Sequence, residues 1–162
     1  MQKQQTLKDK FCLQGKGLHT GLDIHITFCP APEESGYKIK RVDLEGQPVI
    51  DAIADNVHST RRGSVSTIEH AMAALYALGV DNCLIEVDAP EFPILDGSAE
   101  PYVSEIKRVG LVEQETPRDY YIIKKRMEVS DPESNSKLIL LPDDEFTVDV
   151  HIAFPSKVLS NQ

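Results

Sequence analysis

The clearest structural signal in the sequence is Ser66-Thr67-Ile68-Glu69-His70-Ala71-Met72-Ala73-Ala74-Leu75-Tyr76-Ala77-Leu78-Gly79, which predicts a helix from Thr67 onward. Ser66 suits the N-cap and Glu69 stands three positions later, so the pair has the pattern of a capping box. Gly79 suits the left-handed position that follows the last helical residue. Four apolar residues recur at helical spacing and are expected to face the core: Ile68, Met72, Leu75 and Leu78.

Two side chains that can do chemistry, Glu69 and His70, fall in the first turn of this helix. His70 shares a stripe with small alanines, so another group can approach that face closely. A purely structural explanation stands beside the functional one. The capping box alone accounts for Glu69, and an exposed histidine in a first turn needs no ligand.

A longer segment, from Gly79 to Val103, favours the functional explanation of Glu69 and His70. It reads GVDNCLIEVDAPEFPILDGSAEPYV, and it resembles the zinc-dependent UDP-3-O-acyl-N-acetylglucosamine deacetylases of lipid A synthesis in Gram-negative bacteria. The similarity extends to Gly15–Gly21 (GKGLHTG) near the start and to Leu159–Gln162 (LSNQ) at the end. It therefore covers essentially the whole chain.

The resemblance implies that His70 is the first zinc ligand of this family and that Glu69 is its general base. A zinc ion with three protein ligands keeps one position open for water and lowers the pKa of that water, while a nearby carboxylate takes the proton. The family's remaining ligands and a further catalytic histidine would lie beyond Gln162. We therefore expect this chain alone to be inactive and to bind zinc weakly. His19 and His58 are either residues of the site rim or solvated loop histidines.

Composition excludes several classes of function. The net charge is −9 and the longest basic cluster is Lys124-Lys125-Arg126, which argues against nucleic acid as a partner. No apolar run approaches the roughly 18 residues of a membrane span, and residues 1–5 lack the apolar segment of a signal peptide, so we expect a cytoplasmic protein. The three cysteines lack metal-ligand spacing and are interpreted as reduced core thiols.

An internal repeat predicts the domain organisation. The segment Asp23–Phe28 (DIHITF) recurs as Asp149–Phe154 (DVHIAF), and its alternation makes His25 and His151 strand-surface residues. A turn is predicted upstream of each copy, at residues 15–17 and at residues 131–135. We predict an α+β fold: a two-layer sheet-plus-helix-pair domain at residues 1–115, a linker at 116–119, and the strands of an incomplete second copy at 120–162. In the resembled family, two such domains enclose the active site.

The first of these domains is expected to contain a strand near Tyr37–Val42, a buried strand at Cys83–Val87 and a second helix at Glu100–Arg108. For that helix, Ser98 is the predicted cap and Gly110 the stop. Compared with the family, the loop before Ser66 is short. The shortening is natural, engineered or an omission of residues, and Gly63-Ser64 is either a joining scar or an ordinary turn dipeptide.

Two classes of function follow. The first is the N-terminal part of a zinc amidohydrolase that removes acetate from an acylated UDP-N-acetylglucosamine. The second is a non-catalytic α+β scaffold or an engineered fragment. In either case, self-association is expected through apolar strand residues that lack covering helices: Leu138, Leu140, Val148, Val150 and Ile152.

Overall fold

The computed structural model describes residues 2–53 and 64–153, and the chain divides into two compact units, Met1–Arg118 and Asp119–Gln162. Predictions on His58 and Gly63 fall outside the described residues. The first unit is α+β, as predicted. Its described elements are β1 (Lys3–Leu7), β2 (Phe11–Lys16), β3 (Asp23–Pro30), β4 (Tyr37–Arg41), β5 (Val49–Asp51), α1 (Glu69–Ala77), β6 (Cys83–Val87), α2 (Glu100–Val109) and β7 (Leu111–Pro117).

Five strands form the main sheet in the order β2-β3-β6-β4-β5. β4 and β6 are parallel, whereas the other neighbours in this sheet are antiparallel. β5 runs antiparallel to β4 and so brings the chain back to the end of the sheet where β4 begins, and β6, which follows α1, runs from that end parallel to β4. β1 pairs with β7 in a separate two-stranded sheet.

The core lies between one face of the main sheet and the two helices. β3 buries every second residue and leaves Asp23 and His25 exposed, which confirms the predicted alternation. On α1, Leu75 is fully buried, but Ile68, Met72 and Leu78 are only partly buried. The most buried face of α1 instead includes Ala71 and Ala74, whose small side chains allow the helix to approach the sheet closely.

The predicted N-terminus of α1 is wrong. The helix begins at Glu69, its N-cap residue is Ile68, and no side chain caps it. Ser66 pairs instead with the segment around Glu91: its N–H donates to Pro90 O at 3.0 Å, and its carbonyl accepts from Phe92 N at 3.0 Å. Thr67 then adopts a left-handed φ of 57°, so a helix cannot start before Ile68. Tertiary pairing has replaced the capping box.

The predicted C-terminus of α1 is correct. Gly79 has a φ of 74°, which suits a residue without a Cβ. Its N–H donates to Tyr76 O at 3.1 Å, while the next N–H, that of Val80, donates to Leu75 O at 3.0 Å. These are the two hydrogen bonds of a Schellman motif.

The second helix also follows the prediction closely. α2 buries Ile106 and Tyr102, and it ends at Gly110, where φ is 79°. The Ser98 hydroxyl accepts from Glu100 N at 3.1 Å, although the N-cap residue is Ala99. Ser98 therefore lies one residue before the N-cap instead of at it, but its hydroxyl still accepts a hydrogen bond from the first turn of α2.

Two boundaries in the first unit differ from the prediction. Gly15 and Lys16 belong to β2, because the β2–β3 ladder extends to the Lys16–Asp23 pair, and the turn is formed by residues 17–22. Thr116 and Pro117 belong to β7 rather than to a linker. Arg118 then donates hydrogen bonds to Gly79 O and to the Asp81 carboxylate, both at 2.7 Å, which fixes the chain beside the end of α1.

The described part of the second unit contains one hairpin, β8 (Met127–Asp131) paired with β9 (Ser136–Leu140). The predicted turn at 131–135 is present, with the Asp131 carboxylate accepting from Glu133 N and Ser134 Oγ. Residues 149–153 are not in a strand, contrary to the repeat, because no described strand pairs with them. Leu138, Val148 and Val150 are exposed, and self-association through these residues stays a prediction.

Two further expectations concern cysteines and membranes. Cys83 is buried and Cys29 partly so, but Cys12 is exposed, which corrects its assignment to the core. Burial raises the pKa of the Cys83 thiol to about 12. Within residues 2–53 and 64–153, neither helix has the length and apolar character needed to cross a bilayer.

Candidate active site

Glu69 and His70 lie in the first turn of α1, with the Glu69 side chain exposed and His70 partly buried. Among the described residues, neither side chain has a hydrogen-bonded partner. Glu69 lies close enough to Tyr102 of α2 that its negative charge adds to burial in raising the pKa of that phenol to about 12. The two side chains are therefore carried by the first turn of a helix that packs against α2.

The most heavily hydrogen-bonded carboxylate near this turn is Glu91, a residue that is completely buried. Its Oε1 accepts from His19 N at 2.9 Å and from Thr67 Oγ1 at 3.1 Å. Its Oε2 accepts from Thr20 N at 3.0 Å and from Thr20 Oγ1 at 2.9 Å. One carboxylate therefore joins the 17–22 loop to the residues that immediately precede α1.

Burial alone would raise the pKa of Glu91, because an apolar environment disfavours the charged form. The backbone donors of His19 and Thr20, with the hydroxyls of Thr20 and Thr67, outweigh that effect and lower the pKa to about 2. Glu91 is thus an ionised carboxylate at neutral pH whose charge is balanced by hydrogen-bond donors.

Glu91 was not identified from the sequence as a site residue. The available signal was an acidic residue inside an otherwise apolar run, Ala89-Pro90-Glu91-Phe92-Pro93-Ile94-Leu95. A buried acidic residue needs donors, and these come from residues more than 20 positions away in the sequence. The role of Glu91 therefore follows only from the folded structure, in which the 17–22 loop and the start of α1 lie next to each other.

His19 is exposed on the 17–22 loop, and its backbone rather than its imidazole contacts Glu91. The loop is closed by hydrogen bonds from Gly17 N to Leu22 O at 2.9 Å and from Gly21 N to Gly17 O at 3.0 Å. His58, the other candidate for the site rim, lies outside the described residues. The structure thus links the His19 loop to the start of α1 through Glu91, while the rim assignments stay predictions.

The described residues offer no group of three or more His, Cys, Asp and Glu side chains that could hold a metal ion. His25 is paired with Asp88 at 2.9 Å on the sheet surface, and His151 is exposed in the second unit. His70 fits a zinc site in donor chemistry, as a partly buried imidazole on a rigid helix, but it supplies one ligand where a catalytic zinc needs about three.

Glu91 gives a testable dependence of stability on pH. Its pKa is about 2 in the folded chain and about 4.3 in an unfolded one, so its contribution is complete above roughly pH 4.3 and is lost as pH falls toward 2. We expect Glu91→Gln to lower the melting temperature at pH 7. The difference between wild type and variant should shrink between pH 4.3 and 2.

Thermal unfolding followed by circular dichroism at pH 7, 4, 3 and 2 measures this difference. The same substitution at Glu45, which is exposed between β4 and β5, should leave the melting temperature nearly unchanged. A wild-type-to-variant difference at Glu91 that is the same at pH 7 and pH 2 would contradict the role of its charge.

Comparison with known proteins finds a matching family model and several similar enzymes. The family model described as UDP-3-O-acyl N-acetylglycosamine deacetylase matches residues 4–162. The chain is 95% identical over 170 positions to the bifunctional enzyme LpxC/FabZ of Porphyromonas gingivalis, with 100% of this chain and 37% of that protein covered. The relative of the same name in Bacteroides thetaiotaomicron is 58% identical, with the same coverage.

A third relative is the UDP-3-O-acyl-N-acetylglucosamine deacetylase of Methylococcus capsulatus, which is 41% identical over 98% of this chain and 54% of that protein. The chain thus spans between about a third and a little over half of the length of these relatives. The match to the Porphyromonas relative covers 170 positions, whereas this chain has 162 residues, so the relative carries residues without a counterpart here.

Proposed function

Because the chain belongs to the UDP-3-O-acyl N-acetylglycosamine deacetylase family, we propose that it is the N-terminal part of a zinc amidohydrolase acting on an acylated UDP-N-acetylglucosamine. The protein would be a cytoplasmic enzyme of lipid A biosynthesis. The observation that carries the proposal is the placement of Glu69 and His70, adjacent and without described partners, in the first turn of a packed helix. We also propose that the two compact units correspond to one domain and the start of a second.

Each residue has a distinct role in the proposed reaction. His70 would be one zinc ligand through a ring nitrogen. When bound, the zinc ion would polarise the amide carbonyl and lower the pKa of a water molecule. Glu69 would accept the proton of the attacking water and would later return it to the departing amine. Successive helical residues point about 100° apart, so the two side chains can reach different atoms of one centre.

The rim of the site is proposed to include His19, with His58 as a second candidate. A histidine near a nucleotide sugar could donate a hydrogen bond to a phosphate or hydroxyl oxygen. The 17–22 loop supports this assignment for His19, because Glu91 connects that loop to the start of α1 while the His19 side chain stays exposed.

The test of this function uses a full-length protein that carries this chain. His70→Ala is expected to lose most of its zinc and at least about two orders of magnitude of acetate release from the acylated UDP-sugar. His25→Ala is the matched control, because His25 is an exposed strand residue that pairs with Asp88.

Zinc content by atomic absorption and acetate release should both stay normal in the control. A His70→Ala protein that keeps its zinc and its turnover would overturn the assignment. A wild-type full-length protein that releases no acetate would overturn the function itself and would favour the non-catalytic scaffold.

A further inference from the structure

We propose that Glu91 is a positioning residue for the deacetylation, because its buried carboxylate fixes the first turn of α1 against the 17–22 loop. This inference rests on the proposed function of Glu69 and His70. Glu91 itself does not reach the reacting atoms, and the sequence alone did not identify it as a site residue.

The connection is direct, because one atom joins the two segments. Oε1 of Glu91 accepts from His19 N of the loop and from Thr67 Oγ1 before the helix, at 2.9 and 3.1 Å. The backbone on either side of Glu91 also hydrogen-bonds both ways with Ser66. The chain entering α1 is thus held by a side-chain bond and by a short backbone ladder.

The backbone of the 17–22 loop approaches the carboxylate closely at Gly17. A Cβ atom added at Gly17 would lie 2.3 Å from Thr20 Oγ1 and 2.5 Å from Glu91 Oε2. Glycine is therefore required at this position by close approach. Gly17 also forms an isolated bridge with Pro93, which brings the start of the loop and the segment after Glu91 together.

A carboxylate is specifically suited to this position. All four groups that face Glu91 donate hydrogen bonds, two to each oxygen. A glutamine would replace one oxygen by an NH₂ group, and that group would meet a backbone N–H, which cannot accept. A buried donor would then lose its partner.

Thr67 is close enough in the sequence to the two proposed catalytic-site residues to influence their positions. Thr67 stands two residues before Glu69 and three before His70, and its left-handed φ of 57° places the turn into the helix. A shift of about 1 Å in a catalytic group can cost about two orders of magnitude in rate. Releasing Thr67 from Glu91 should therefore disturb both side chains together, without any change in their identity.

The experiment compares isosteric substitutions in a full-length protein that carries this chain. Thr67→Val removes the hydroxyl that Glu91 accepts from and keeps the β-branched shape. We expect it to lower kcat by about tenfold or more, to weaken zinc binding and to leave KM nearly unchanged. Thr67→Ser restores the hydroxyl and should recover most of both losses.

Thr6→Val is the matched control. The Thr6 hydroxyl is buried, donates to Asn82 O at 2.7 Å and accepts from Ala31 N at 3.0 Å, but it lies in β1. Because it removes two buried hydrogen bonds, Thr6→Val should lower the melting temperature by at least as much as Thr67→Val, yet leave kcat and zinc affinity unchanged. In the zinc-free protein, hydrogen exchange at the Met72 amide, whose bond to Ile68 O is the first of α1, should be faster in Thr67→Val only.

Normal kcat, zinc affinity and Met72 exchange in Thr67→Val would overturn the positioning role, as would equal losses in Thr6→Val. These results leave the proposed function intact when the wild-type protein is active. Glu91→Gln provides a second variant, with larger effects of the same kind expected if it folds. An inactive wild-type protein would instead overturn the proposed function, and the positioning role with it.

Discussion

Glu69→Gln in a full-length protein is expected to lower kcat by about two orders of magnitude or more, with zinc content and melting temperature close to those of wild type. Glutamine keeps the size of the side chain but cannot accept the proton of the attacking water. Structural effects should be small, because Glu69 is exposed and, among the described residues, forms no hydrogen bond and no capping box. Even Glu69→Ala should change the free energy of unfolding by no more than about 0.5 kcal/mol.

The measurement is steady-state acetate release, combined with zinc analysis and thermal unfolding of each variant. Glu100→Gln is the matched control, since Glu100 is likewise an exposed acidic residue in the first turn of a helix, here α2. It should show wild-type kinetics. Near-normal turnover of Glu69→Gln at full zinc occupancy would refute the general-base role, and a large fall in melting temperature would show that the lost activity came from unfolding.

Local sequence patterns correctly predicted the buried face of β3, the bounds of β6 and the end of α1. The alternation of Ile24, Ile26 and Phe28 identified the buried face of β3, and the strand at Cys83–Val87 was predicted with its exact bounds. Gly79 identified the end of α1, because a left-handed residue there satisfies the last carbonyl groups of the helix. The end of α1 depends on hydrogen bonds within a few residues, and the two strands follow from the apolar pattern of a single segment each.

The errors occur where distant segments compete for the same groups. Ser66 has the sequence pattern of an N-cap, but its backbone pairs with residues 90–92, and so the helix starts at Glu69, two residues later than predicted. Gly15 and Lys16 have the composition of a turn, but pairing with β3 keeps them in a strand. Such tertiary pairing outweighs local preferences that are each about 1 kcal/mol or less.

The candidate site was predictable in part for the same reason. Glu69 and His70 follow from a helix signal and a family resemblance, and the structure places both in the first turn of α1. Glu91 could be recognised as a site residue only from the fold, because its four hydrogen-bond donors come from two segments that lie on either side of β3, β4 and β5 in the sequence. A buried carboxylate is recognised by its donors, and these are not adjacent in the sequence.

This exact chain is expected to show no deacetylase activity, even with added zinc. A catalytic zinc needs about three protein ligands, and the described residues bring no such group together. His70 alone should hold the ion weakly. We therefore expect α1 to contribute Glu69 and His70 to a site whose other ligands come from elsewhere in the full-length protein.

Acetate release from the acylated UDP-sugar by this chain, measured at high protein concentration with zinc, tests that claim most directly. A full-length protein that carries the chain should turn over the substrate under the same conditions and serves as the positive control. We predict no release above background by the chain alone. Turnover by the chain that is abolished by His70→Ala would contradict this expectation, because it would show a complete site within these 162 residues.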